Sequence, residues 1–329
     1  MHDLTPQMAV QLANSAYQIK DKNKLGRYAA PALDYLAKDF DFDLSNNVMK
    51  GVSGTFMEHL FDHKTGFAVI GKGKQGGQYQ GHHVIAFRGT ASKRDAITDL
   101  HCGLSTSANN LPVHAGFNKS FNSMKSALET YFTKNDMGPV HCVGHSLGGA
   151  LATLAANWLK ARYKGRPVNL YTFGSPRIGY EGFANQTKAS LNKIYRCIHA
   201  ADPVPLVPLW PFVHTNGEYL LNAGPSISAE AHKMAGNAPG YINTASSYKD
   251  FKAINKHSGQ QHKEQIRLDY EKRNQASFTS QWAHRIGATL VTLLRDSGML
   301  AGIQVAITST LTLYDNIALA LTKIAKISD

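Results

Sequence analysis

VHCVGHSLGGALATLAA, residues 140–156, sets a serine between glycines at the seam of two differently patterned runs. Val140 to Val143 is a short β-branched run, whereas Ala150, Leu151, Leu154, Ala155 and Leu159 recur at helical spacing. The order read from this is strand, tight turn, helix. A serine on such a turn projects its hydroxyl out of the scaffold, and the unpaired N–H groups of the new helix face the same space. Gly144, Gly148 and Gly149 suit a turn in which any side chain would crowd the strand against the helix. A glycine-rich αβ turn without chemistry would share the pentapeptide, so the flanks and the partners of Ser146 must decide.

Working outward, GFAVIGKG and HHVIAFRGT are two β-branched runs separated by KQGGQYQG, which reads as a hairpin. A helix over 120–133, the strand at Val140, the helix after Ser146, and the strands VNLYTFGSP and KIYRCIHAADP then alternate. That alternation predicts an α/β fold with a mostly parallel central sheet and flanking helices. The polar segment from Ser246 to Gln275 marks a boundary, giving a core domain over 1–275 and an extension over 276–329. In the extension, apolar positions recur at helical spacing on either side of Asp296-Ser297-Gly298, which predicts a C-terminal amphipathic helical hairpin. Its uncharged stretch from Ser297 to Tyr314 carries Gln304, Thr308, Ser309, Thr310 and Thr312, so packing on the core, a partner or a membrane surface fits better than a span.

A 329-residue chain with 43% hydrophobic residues can bury a sizeable core. Its 35 Lys and Arg against 23 Asp and Glu give a net charge of +12, which favours anionic partners. Zinc-ligand spacing, aromatic RNA-binding signatures and basic heptad helices are absent, so no nucleic acid partner is expected and an acidic lipid surface is. Three cysteines, Cys102, Cys142 and Cys197, are an odd number, and the last two fall within apolar runs, which argues against a disulfide framework. The opening MHDLTPQMAVQLANSAYQIKD reads as an amphipathic helix rather than a secretory signal. The expectation is a protein that stays in the cytoplasm or is exported by a signal-independent route.

A serine hydroxyl becomes a useful nucleophile when a histidine takes its proton and an acid orients that histidine. In α/β-hydrolases the chain order is serine, acid, histidine. Asp202, in CIHAADPVPLVP, stands just past a predicted strand in a proline-rich loop. Two donors for an oxyanion are the residue after the serine, Leu147, and Thr90 at the end of VIAFRGT, through its N–H and hydroxyl. Five histidines follow Asp202: His214, His232, His257, His262 and His284.

VIAFRGT with DAITDL shortly after it, VHAGF, VHCVGHSLGGALA, VNLYTFGSPRIG and RCIHAADPVPLVP occur in the order and approximate spacing of the fungal-type class 3 lipases. The chain resembles that family over roughly residues 10 to 265. The resemblance implies an α/β-hydrolase with Ser146 as nucleophile, Asp202 as triad acid and Thr90 and Leu147 as oxyanion donors. It also implies a lid at about 91–104, with Lys93 and Arg94 toward an anionic surface but few large apolar residues. FVHTNGEYLL resembles the family's structural H-x-x-G-E-x-Y segment, which makes His214 a support residue. The family's catalytic histidine opens a helix with an aromatic or apolar residue four positions on; HKEQIRLDY fits with Ile266, which selects His262, with His257 as the competitor and His232 and His284 read as solvated.

The activity implied is ester hydrolysis of lipase type, without metal or organic cofactor. The net positive charge and terminal helices favour membrane glycerophospholipids cut by a phospholipase A, with triacylglycerol lipase or carboxylesterase as the alternative. A peptidase on the same fold fits the R-G-T and DPVPLVP segments less well. A non-catalytic lipase-like module binding membrane or protein is the reading from another class. The lack of a signal and the added hairpin also resemble bacterial lipase effectors delivered into rival cells, for which an immunity or carrier protein would bind the C-terminal helices.

Overall fold

The computed structural model describes residues 1–19, 36–42, 44, 48–51, 65–89, 103–200, 202, 204–208, 212–215, 218–222, 229–235 and 240–257. Eleven strands can be assigned among these: β1 Phe40–Phe42, β2 Val48–Gly51, β3 Thr65–Gly73, β4 His83–Phe87, β5 Leu104–Thr106, β6 Pro112–His114, β7 Val140–His145, β8 Val168–Phe173, β9 Lys193–His199, β10 Glu218–Asn222 and β11 Asn255–His257. The helices are α1 Pro6–Gln18, α2 Ala115–Lys134, α3 Leu147–Arg162, α4 Glu181–Ser190 and α5 Tyr241–Ser246.

The main sheet runs β1-β3-β4-β7-β8-β9-β10-β11, with β2 also paired to β3. Pairings from β4 through β10 are parallel, and antiparallel strands flank them on both sides. Parallel neighbours need helical crossovers, so both sheet faces are covered and the central strands are buried throughout. Period-two alternation sorts their side chains: Ile85, Phe87, Cys142 and Leu170 face α2, α3 and α4, whereas Val84, Ala86, Val143 and Tyr171 face α1 and α5. This is the α/β-hydrolase architecture expected from the alternating elements. The predicted hairpin is β3–β4, in register from Ala68↔Phe87 to Lys72↔His83.

The opening helix is built as its sequence suggests. Pro6 occupies its first turn, and the Thr5 hydroxyl accepts the Met8 N–H at 3.1 Å, satisfying one donor that lacks an intrahelical acceptor. Its apolar residues Met8, Ala9, Val10, Leu12, Ala13 and Ala16 are buried against the sheet and α5. Asp3 anchors the segment before it, accepting from Lys193 Nζ at 2.6 Å, Tyr195 Oη at 2.9 Å and Asn169 Nδ2 at 2.9 Å. The last strand, β11, lies inside the polar segment from Ser246 to Gln275 and pairs antiparallel to β10. The 276–329 extension lies outside the described residues, as does the 91–102 part of the segment expected to form a lid. Cys142 and Cys197 are buried free thiols, and Cys102 is outside the described residues. Among the described residues no helix is long and apolar enough to cross a membrane, and no group of metal-ligating side chains is assembled.

Candidate active site

Ser146 sits between the end of β7 and the first residue of α3, with φ 59° and ψ −131°. A non-glycine residue in this region is strained and is held only where its surroundings over-determine it. Here the Ser146 N–H donates to Phe173 O at 3.0 Å, and its carbonyl accepts the Gly149 N–H at 2.9 Å. The adjoining glycines let the backbone close this tightly. A Cβ on Gly144 would meet the Gly148 carbonyl, one on Gly148 the Phe87 carbonyl, and one on Gly149 the Ser175 side chain. Leu147, as the first helical residue, presents an N–H with no carbonyl one turn earlier to take it. Thr90, the other expected oxyanion donor, lies outside the described residues.

Asp202 follows β9 and is buried. Its carboxylate accepts the Val204 N–H at 2.9 Å on Oδ1 and the Tyr241 O–H at 2.7 Å on Oδ2. Burial, and then the Asp202 charge, push the Tyr241 phenol well above its ordinary range, so it stays a donor to this carboxylate. The same carboxylate meets His232 Nδ1 at 2.8 Å and 3.0 Å, and His232 Nε2 lies 2.8 Å from Ser146 Oγ. Ser146 and Asp202 thus follow the ends of β7 and β9, at the carboxyl edge of the parallel strands where α/β sheets place their sites, and His232 reaches them from the 3-10 turn Ala229–His232.

The histidine brought to Ser146 is therefore His232, on a short 3-10 turn over Ala229–His232, rather than the expected His262. His262 lies outside the described residues, as does His284. His257 is described by its backbone alone, opposite Glu218 on β11. The expectation that His232 is solvated is corrected: its side chain is 17% exposed and bonded at both nitrogens. A signal for it was present, since His232 is the first histidine after the strand that follows the one carrying Asp202. The helix-opening pattern in the sequence points instead to His262. His214 acts as a support, with Nε2 donating to Pro205 O at 2.7 Å, and Glu218 of the same motif pairs with Arg196 at 2.8 Å.

Two further imidazoles brace the turn that carries His232. His145 Nε2 donates to the His232 carbonyl at 2.8 Å, and His199 Nδ1 donates to the Ala231 carbonyl at 2.7 Å. Burial lowers the basicity of both, so each is a neutral ring with one donor and one acceptor nitrogen. His199 also stacks on Tyr241, with ring centroids 4.0 Å apart and planes within 2°.

Together the fold and this serine–histidine–aspartate geometry define an α/β-hydrolase with a strained serine elbow. Residues 84–212 match the class 3 lipase family model, so that segment is similar to the class 3 lipases. The chain is 38% identical over 150 residues to the secreted mono- and diacylglycerol lipase 1 of Fusarium solani, which is 43% of this chain and 44% of that one. It is 29% identical over 231 residues to the secreted mono- and diacylglycerol lipase A of Penicillium cyclopium, 65% of this chain and 68% of that one. Over 96 residues it is 34% identical to the toxin TseL of Vibrio cholerae, 29% of this chain and 15% of that protein. The chain spans less than half the length of the Fusarium relative it matches.

Proposed function

We propose that the protein is a carboxylic ester hydrolase of lipase type that works through Ser146, His232 and Asp202. The observation that carries this reading is His232 itself, 2.8 Å from Ser146 Oγ on one side and 2.8 Å from Asp202 Oδ2 on the other. As Ser146 Oγ adds to the acyl carbonyl, its proton passes to His232 Nε2, and Asp202 holds the opposite nitrogen and stabilises the imidazolium. The Leu147 N–H, with Thr90, receives the oxyanion. His232 then gives its proton to the departing alkoxide, and the same nitrogen deprotonates the water that cleaves the acyl-serine ester.

For substrate, membrane glycerophospholipid remains our first choice, because a net charge of +12 concentrates the chain on anionic bilayers. The names of the fungal relatives favour mono- and diacylglycerols as the alternative. Likeness to a toxin supports a delivered effector whose immunity or carrier partner binds the 276–329 extension.

The test is fatty-acid release from mixed anionic phospholipid vesicles by the wild type and by Ser146→Ala, His232→Ala and His262→Ala, with circular dichroism on each. Ser146→Ala and His232→Ala should each lose a factor of about 10³ or more without loss of fold, while His262→Ala stays within about threefold of wild type. Activity surviving His232→Ala and lost in folded His262→Ala would restore the choice made from sequence. Release from diacylglycerol emulsion alone would move the substrate to neutral glycerides. No release from any ester, with vesicle binding lost on removing 280–329, would favour the non-catalytic module.

A further inference from the structure

The phenol of Tyr17, near the end of α1, reaches across 128 residues of sequence to His145 Nδ1 at 2.7 Å. His145 Nε2 faces a carbonyl, the His232 O, which can only accept, so that nitrogen carries the ring's proton. His145 Nδ1 is then an acceptor, and Tyr17 must donate its O–H to it. The Tyr17 hydroxyl also lies against Gly89, the residue just before Thr90. A hydrogen-bonded path therefore runs from Tyr17 through His145 to the carbonyl of His232, with Gly89 packed against its Tyr17 end. The His145 and His232 rings also stack, with centroids 4.7 Å apart. Gly89 is required for this closeness, since a Cβ there would meet the Tyr17 hydroxyl, the His145 carbonyl and Ser146 Cβ.

We propose that Tyr17 is a positioning residue that locks His145 as its Nε2–H tautomer and thereby ties the turn carrying His232 to the strand end that precedes Thr90. The proposal rests on reading Ser146, His232 and Asp202 as the triad. Without the Tyr17 hydroxyl the proton on His145 is free to move to Nδ1. A lone pair then opposes the His232 carbonyl, and the turn loses one of its two imidazole donors. Small displacements of a base from its nucleophile are costly in rate, because the reacting atoms must lie within hydrogen-bond reach.

The experiment uses p-nitrophenyl butyrate, phosphonylation of Ser146 by a p-nitrophenyl alkylphosphonate, and ¹⁵N NMR of the histidine rings, on the full chain and on Tyr17→Phe. Loss of the hydroxyl should lower kcat and the phosphonylation rate about tenfold with KM within about twofold, and should turn the His145 signal from one tautomer into a mixture. A second background separates this from simple loss of packing. A glutamine amide has no tautomer to lock, so in His145→Gln the further change Tyr17→Phe should cost less than about twofold. Equal cost of Tyr17→Phe in both backgrounds, an unchanged kcat, or a retained single tautomer would each overturn the proposal. A wild type that neither turns over ester nor takes the phosphonate would sink the triad reading and this proposal together. A reactive wild type with an indifferent Tyr17→Phe would sink the proposal alone.

Discussion

Ser146 holds its unfavourable φ because three glycines beside it give the backbone room that no other residue allows. The cost of filling that room depends on what the new methyl meets. On Gly148 it meets the backbone of Phe87 and Arg88, which cannot swing aside. Gly148→Ala should therefore lower unfolding stability by about 1–3 kcal/mol in urea titration. Gly182→Ala, in α4, would approach only Leu111 Cδ2 at 3.6 Å and should stay within about 1 kcal/mol of wild type or gain stability. Equal costs would refute this steric account. At this scale the serine was readable because strand, glycines and helix are neighbours in the chain, so their sterics are local. His232 was marked only by its order in the chain, as the first histidine after β10, because no residue beside it announces that its turn folds back over the end of β7. That placement depends on Tyr241, His199 and His145, which come from three other elements.

Among the elements, β9 and β10 are joined by more than their ladder. Arg196 and Glu218 stand opposite each other in the parallel register and form a 2.8 Å ion pair whose side chains are 6% and 7% exposed. Burial lowers the basicity of Arg196 and the Glu218 charge opposes that fall, so the carboxylate is what keeps the guanidinium tolerable there. Glu218→Ala should cost about 3–5 kcal/mol in denaturant unfolding, because it strands a buried charge. Lys193→Ala removes the half-exposed ion pair to Asp3 and should cost no more than about 1 kcal/mol. A loss of similar size for both would show that burial is not the deciding quantity. The alternation of strands and helices was readable, since each repeats its own hydrophobic period. The meeting of α1 with α5 and the return of β11 to β10 were not, because both pair segments far apart in sequence through contacts that no local pattern encodes.

For the whole molecule, the face under α1 holds a buried imidazole pair. His82 Nδ1 meets His141 Nε2 at 3.0 Å, the rings stack, and His141 Nδ1 reaches Tyr171 Oη at 3.2 Å. Burial lowers both histidines below their ordinary value of 6.5, His141 far below. The unfolded chain then binds more protons than the native one once pH falls below that value, so stability is full above it and declines under it. Melting temperature should drop between about pH 7 and pH 5, and His141→Gln should make the drop smaller even if it lowers the value at pH 7. An unchanged slope in the variant would place the acid sensitivity elsewhere. With a net charge of +12 already present, every further proton also adds to repulsion across the surface.

The long reach of α1 and of the His232 turn sets an order of events as the chain leaves the ribosome. Ser146 emerges 86 residues ahead of the histidine it faces. The Leu4 N–H waits for Tyr171, 167 positions later, and Asp3 waits for Tyr195, 192 positions later. A nascent chain that has passed Ser146 still lacks Asp202 and His232, and its first segment lacks the Tyr171 and Tyr195 partners that anchor it. The partners of Ser146 thus arrive with the last strands of the sheet, and a fragment halted before Ala229 would lack the imidazole that reaches its hydroxyl.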